Sequence, residues 1–284
     1  MQYPRAALRN TSRVSQPATM SHARSEAIDP MISCSRRRLL GNPVSLTVLS
    51  VWSWMVLGVA VVVWLPLVGV VRLATARDPG QYRAGLLFRK LAVVHQRLNP
   101  LWRFRISGRM IDDPRRPYVV VANHESFVDI LLLSHLPWEM KWLSKAEFFR
   151  YPLVGWLMQM AGDIRLDRTD QRSMLSSMKQ CRARLDQHVS VMIFPEGTRS
   201  DDGSLGAFHD GAFRLAIQAG VPILPVAVRG TRTALRKGDW RNDLSDAEAR
   251  VLEPIETAGL GRRDVAGLNQ RVRDLIAAEL ATMG

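Results

Sequence analysis

The chain has 284 residues, 47% hydrophobic and 23% charged, which excludes a collagen-like or wholly disordered protein. Two cysteines, Cys34 and Cys181, can build neither a disulfide framework nor a zinc cluster, so a small stapled secreted fold is excluded too. The net charge of +13 is uneven: residues 1–90 hold 12 Lys/Arg against 3 Asp/Glu, residues 91–284 hold 27 against 23.

Residues 1–38, rich in Ser, Arg, Pro and Ala, read as a disordered basic tail in which Met20 or Met31 is an alternative start. The next 33 residues, Leu39 to Val71, carry no charge. As one straight helix such a run reaches ~50 Å, against a hydrocarbon core of ~30 Å. Pro43, Gly58 and Pro66 offer places to break it, and Trp52, Trp54 and Trp64 suit a membrane interface. Arg36, Arg37 and Arg38 precede the run; Arg72, Arg77, Arg83, Arg89 and Lys90 follow it. Positive charge at both ends places both flanks on the cytoplasmic side. That favours a helical hairpin dipping into one leaflet over a single crossing, in an inner membrane with the following domain facing the cytoplasm. A cleavable signal fits poorly, because the run is long and begins only after residue 38.

Residues 72–100 read as a basic amphipathic helix leading into a domain over 101–284. There, short apolar runs alternate with helical periods. Phe104–Gly108, Tyr118–Ala122, Met140–Leu143, Asp163–Leu166, Val189–Phe194 and Ile223–Val228 are the expected strands. Met174, Met178, Cys181 and Leu185 share one helical face and read as core. A second helix is expected near Asp210–Gln218, closed by Gly220 and Pro222. Such alternation means an α/β fold: a largely parallel mixed sheet flanked by helices.

Two clusters stand at strand ends, where α/β folds place their chemistry. The first is Asn123-His124-Glu125-Ser126-Phe127-Val128-Asp129. His124 and Asp129 have four residues between them and meet only if the chain turns. Ser126 and Asp129 fit a capping box that starts a helix at Phe127 and supplies that turn. An Asp–His pair fixes the imidazole tautomer and makes His124 a general base. A helix-capping Asp129 beside a buried polar His124 explains the same residues equally well. No second histidine completes a zinc motif, no G-x-S-x-G elbow makes Ser126 a nucleophile, and no P-loop is present. The second cluster is Phe194-Pro195-Glu196-Gly197-Thr198-Arg199-Ser200. Gly197 permits close backbone approach and Arg199 offers a fork for a phosphate, although a plain surface turn fits as well.

Taken together, the two clusters resemble the glycerolipid acyltransferase family, most closely the 1-acyl-sn-glycerol-3-phosphate acyltransferases. Gly162-Asp163-Ile164-Arg165-Leu166-Asp167-Arg168 is similar to the family's second motif, with Arg165 where an aromatic or aliphatic residue is common. Val221–Val226 matches the fourth motif, and Ser144-Lys145-Ala146-Glu147-Phe148 the lysine-bearing segment. The resemblance covers roughly residues 85–255. It implies transfer of an acyl group from acyl-CoA or acyl carrier protein to the sn-2 hydroxyl of lysophosphatidic acid, making phosphatidic acid at a membrane, with no metal or cofactor. His124 is then the base, held by Asp129. Backbone N–H groups at the Ser126 helix start are candidate oxyanion donors. Arg168 and Arg199, then Lys145, are the expected phosphate contacts. Glu196 orders the loop Gly197-Thr198-Arg199.

Acylation of another lysolipid, such as a lyso-ornithine lipid or a lysophospholipid, is an alternative acceptor. A non-catalytic lipid-binding protein is a further one. Nucleic-acid binding has no recognition motif behind it, and the basic excess lies in the tail and membrane flanks.

Overall fold

The computed structural model describes residues 39–200, 202–236 and 238–283; the expected tail over 1–38 lies outside the described residues. The uncharged run forms one helix, α1 (Pro43–Ala74). Asn42 caps its start, accepting from the Ser45 N–H at 2.9 Å, with Pro43 in the first turn. Neither Gly58 nor Pro66 breaks it, because the neighbours packed along α1 hold its axis where the proline removes one hydrogen bond. The expected break inside the run therefore gives way to a later one. The chain reverses at Asp78-Pro79-Gly80-Gln81 and returns as α2 (Tyr82–Leu98), so the continuous helix expected over 72–100 is interrupted. The two helices are antiparallel: Trp52 donates its indole N–H to the Leu98 carbonyl at 2.9 Å, and Trp64 to that of Leu87 at 2.8 Å. Val44, Val48, Val59, Val62 and Leu73 leave α1 with an exposed apolar face. Among the described helices α1 is long and apolar enough to cross a membrane, as a membrane-associated segment would be.

Seven strands form one sheet in the order β1-β7-β6-β2-β5-β3-β4. They are β1 (Trp102–Gly108), β2 (Val119–Ala122), β3 (Met140–Lys145), β4 (Ile164–Leu166), β5 (Ser190–Ile193), β6 (Ile223–Arg229) and β7 (Ser245–Val251). Every pairing is parallel except β6 with β7, so β1 and β7 run against the other five. Six strands fall where expected. The seventh, β7, hides its signal: Ser245, Ala247, Ala249 and Val251 face inward, but the alternate positions are Asp246, Glu248 and Arg250. Glu248 pairs with Arg105 at 2.5 Å and Arg250 at 3.1 Å, so this charged face is an ion ladder.

The remaining helices are α3 (Asp129–Leu133), α4 (Val154–Ala161), α5 (Gln171–Asp186), α6 (Gly211–Ala219), the one-turn α7 (Thr231–Ala234) and α8 (Val265–Thr282). Alternate residues of β2 point to opposite cores, as the pleat requires. Val119 and Val121 pack with Cys181 and Leu185 of α5, Phe213 of α6 and Val272 of α8. Val120 and Ala122 pack with Leu132 and Leu133 of α3, Trp138 and Trp142. The helical hairpin closes a third core with Leu157 of α4.

A buried charge network fastens that hairpin to the sheet. Arg89, read from sequence as a membrane-flanking cation, is instead only 7% exposed and pairs with Asp163 and, at 3.7 Å, with Glu139. Lys141 donates to Glu139 at 2.9 Å and to the Ala161 carbonyl at 2.6 Å. Burial pushes the Glu139 carboxyl up and the Lys141 ammonium down from their usual ranges. Gly85 of α2 makes room for the pair, since a Cβ there would lie 2.1 Å from Glu139 Oε1.

Candidate active site

Strand β2 ends against β6, and Asn123 extends that pairing with its side chain. Its amide donates to the Val228 carbonyl and accepts from the Val228 N–H, both at 2.8 Å. The chain then leaves the sheet at His124. Ser126 accepts weakly from the Val128 N–H at 3.3 Å while its own N–H donates to Asp129 Oδ2 at 3.0 Å. Only half of the capping box expected at Ser126 forms: the Asp129 N–H donates to the Ser126 backbone carbonyl instead of its hydroxyl, Phe127 and Val128 form a turn, and α3 begins at Asp129.

His124 Nδ1 donates to Asp129 Oδ2 at 2.7 Å. Asp129 is fully buried, and the same oxygen accepts from the Glu125 N–H at 2.8 Å. Its other oxygen accepts from the Thr231 hydroxyl. Of the two readings of Asp129, the imidazole partner is the one the structure places: the carboxylate gathers His124 and the loop N–H groups of Glu125 and Ser126 and makes no helix cap. With an acceptor-only carboxylate on Nδ1, the imidazole proton sits there and Nε2 presents its lone pair. The N–H groups of Glu125, Ser126 and Val128 are already spent on Asp129 and Ser126, which removes these three as the oxyanion donors expected at the helix start.

The second cluster clasps the first. Glu196, 8% exposed, accepts from the His124 N–H at 2.7 Å and from the Gly206 N–H at 2.9 Å. Burial raises its carboxyl pKa and these two donors work against the rise. Ser200 donates its N–H to the His124 carbonyl at 2.9 Å. The Phe194 ring stacks on the imidazole, with centroids 4.0 Å apart and planes 14° from parallel. Gly197 turns the loop at φ 75°, and a Cβ there would lie 3.1 Å from Arg168 Nη1 and 3.2 Å from the His209 ring.

Two cavities flank this loop. One, about 440 Å³, is mainly apolar: Leu143, Leu166, Met174, Met178 and Phe194 line it, with Arg168 and His209 at Gly197. The stripe read as core holds for Cys181 and Leu185, which are buried, and for Met178, which packs against them while lining this cavity; Met174 is exposed at the cavity wall. The other, about 610 Å³, is lined by Glu125, Arg199, Arg232, Thr233 and Arg236. Among the described residues, no group of three or more His, Cys, Asp or Glu is gathered as for a metal ion.

The Acyltransferase family model matches residues 103–229, which bracket both clusters. The 1-acyl-sn-glycerol-3-phosphate acyltransferase alpha of Homo sapiens is 32% identical over 212 residues, 74% of this chain and 75% of that protein. The chain belongs to the 1-acyl-sn-glycerol-3-phosphate acyltransferase family. A 1-acyl-sn-glycerol-3-phosphate acyltransferase from Chlamydomonas reinhardtii is 41% identical over 140 residues, and a chloroplastic one from Brassica napus is 41% identical over 154. The chain spans 42% and 44% of the length of these two relatives. The crystal structure of the 1-acyl-sn-glycerophosphate (LPA) acyltransferase PlsC from Thermotoga maritima has the same fold. Its TM-score is 0.70 at 22% identity, over 84% of this chain and 96% of that one.

Within the candidate site the expected residues are not all gathered at one point. His124, Asp129 and Glu196 interlock, and Gly197 joins them to Arg168. Arg168 and Arg199 line different cavities. Thr198 is exposed. Lys145 sits at the end of β3, 62% exposed and paired with Glu147 at 2.5 Å, and lines neither cavity. Sequence reading passed over Asn123, Phe194, Thr231, Arg232 and Arg236 as contributors. Thr231 lies 102 residues beyond Asp129, with no local pattern to tie the two together.

Proposed function

We propose that the protein transfers a fatty acyl group from a thioester to the sn-2 hydroxyl of 1-acyl-sn-glycerol-3-phosphate, yielding phosphatidic acid and a free thiol. The observation that carries this reading is the His124–Asp129 pair at 2.7 Å, with Nε2 left open. The thioester is already activated, so no covalent enzyme intermediate, metal or cofactor is required. Nε2 takes the hydroxyl proton as the acceptor oxygen attacks the thioester carbonyl. The tetrahedral intermediate collapses, the C–S bond breaks, and the imidazolium returns its proton to the leaving thiolate. Asp129 stabilises that imidazolium, and Phe194 keeps the ring in plane.

The donor is acyl-CoA or acyl carrier protein. Arg199 meets the acceptor phosphate, while Arg168 stands at the apolar cavity, where an acyl chain has room. The exposed face of α1 seats the protein on the cytoplasmic side of the inner membrane, so the acceptor's chain stays in hydrocarbon. The test is thiol release from oleoyl-CoA in detergent micelles. Release should depend on lysophosphatidic acid and fall by about 10²–10⁴ in His124→Ala, the usual worth of a general base. Retention of most activity by that variant would remove His124 from the mechanism.

A further inference from the structure

Arg232 and Arg236 belong to none of the motifs discussed above, yet they share a cavity with Arg199. We propose that these three arginines together form the subsite for the phosphomonoester of the acceptor lipid, set apart from the cavity that Arg168 serves. This deepens the reading under Proposed function and rests on it.

Position comes first. The cavity begins at Glu125, next to the base, and at Ser200, whose N–H donates to the His124 carbonyl at 2.9 Å. In a glycerol phosphate the phosphorus lies only a few bonds from the reacting hydroxyl. A phosphate pocket must therefore adjoin the base, and this one does.

Charge comes second. Arg199 makes no ion pair with a described residue and is not neutralised there. Arg232 donates to the backbone carbonyl of Asp202 rather than to an acid, which aims the guanidinium without cancelling its charge. Arg236 meets Asp243 at 3.5 Å but is 70% exposed, and such pairs are weak enough to yield to a dianion. Thr233 adds a hydroxyl. Glu125 is the acid lining the cavity, and its carboxylate oxygen is engaged by the Gly230 N–H at 3.1 Å and the Thr231 hydroxyl at 3.4 Å. Those bonds fasten α7, which carries Arg232, to the residue beside His124. Planar guanidinium forks arranged around a pocket match phosphate geometry better than a single point charge.

Contrast comes third. Beside Arg168 the walls are Leu143, Leu166, Met174, Met178 and Phe194, a poor shell for a dianion.

The experiment uses the full chain in detergent micelles and the variants Arg232→Gln, Arg236→Gln and the double substitution. The KM for lysophosphatidic acid should rise about tenfold in each single variant and about a hundredfold in the double one, as expected for lost charge-assisted bonds. The KM for oleoyl-CoA should stay where it is, and Arg232→Lys should recover part of the loss. An unchanged lysophosphatidic acid KM in the double variant overturns the subsite. So does a raised KM for oleoyl-CoA alone, which would give the cavity to the donor's phosphates. If the wild type acylates no lysophosphatidic acid, the functional reading fails, and the subsite is judged by glycerol 3-phosphate titration followed by phosphorus NMR. Binding lost in the double variant supports it; equal binding overturns it.

Discussion

Thr231 is placed to act on the proposed base through Asp129. It is fully buried, and its hydroxyl is the donor to the second oxygen of Asp129. Thr231→Val leaves that oxygen short of a partner, at a cost of about 1.5–3 kcal/mol for a bond to a charged group. A fall in kcat of about tenfold or more is expected, restored by Thr231→Ser, whereas a merely structural role would move the melting temperature alone. Glu125 brings a pH dependence. Burial, then the nearby Asp129 charge, push its carboxyl up to about 7. A raised folded-state pKa means the contribution to stability is complete below the unfolded value near 4.3 and is lost as pH rises through 7. At about 1.36 kcal/mol per pH unit the loss is on the order of 3–4 kcal/mol. Thermal unfolding of Glu125→Gln should therefore show a flatter stability profile between pH 5 and 8 than the wild type. At this scale the meeting of His124 with Asp129, and the loop that carries Glu196, were legible because they sit in two short segments. The hydroxyl and the extra arginines were not, because the contacts that matter join residues far apart in the chain.

Among the elements, the α1–α2 hairpin and β3 show how a charge network can place one unit against another. Replacing a single member, as in Lys141→Met, leaves Glu139 with only the more distant Arg89 and should cost about 3–5 kcal/mol, read as loss of folded protein in detergent. Gly85→Ala is the gentler probe. Its Cβ would intrude on Glu139 Oε1, and overpacking of this kind costs about 1–3 kcal/mol, measurable as a lower melting temperature with unchanged helix content. Arg89 was misread for a physical reason. A cation in the turns after an apolar run has the same composition whether it faces lipid headgroups or an internal carboxylate, and only the fold supplies Asp163. The same limit hid β7, whose buried positions are small and whose visible positions are charged, so that alternation could not be told from a polar loop.

For the whole molecule, α1 has two faces that a single substitution can tell apart. Val62 is 59% exposed and Val68 is fully buried. Val62→Glu should leave the protein folded in detergent but reduce its co-sedimentation with anionic vesicles, a buried acid costing up to about 3 kcal/mol in the bilayer. Val68→Glu should prevent folding in either setting. The sheet with its two flanking cores was legible from six apolar runs, and the membrane segment from its missing charges. The path of the hairpin was not legible, because a proline inside a helix is a break only where packing fails to compensate. Ser50 near the start of α1 accepts from the N–H of Asn242 at 2.9 Å, across 192 residues of sequence. A ribosome adding ~5–20 residues per second needs roughly 10–40 s to cover that distance. During biosynthesis the start of α1 therefore waits for Asn242 with only α2 and lipid to cover it.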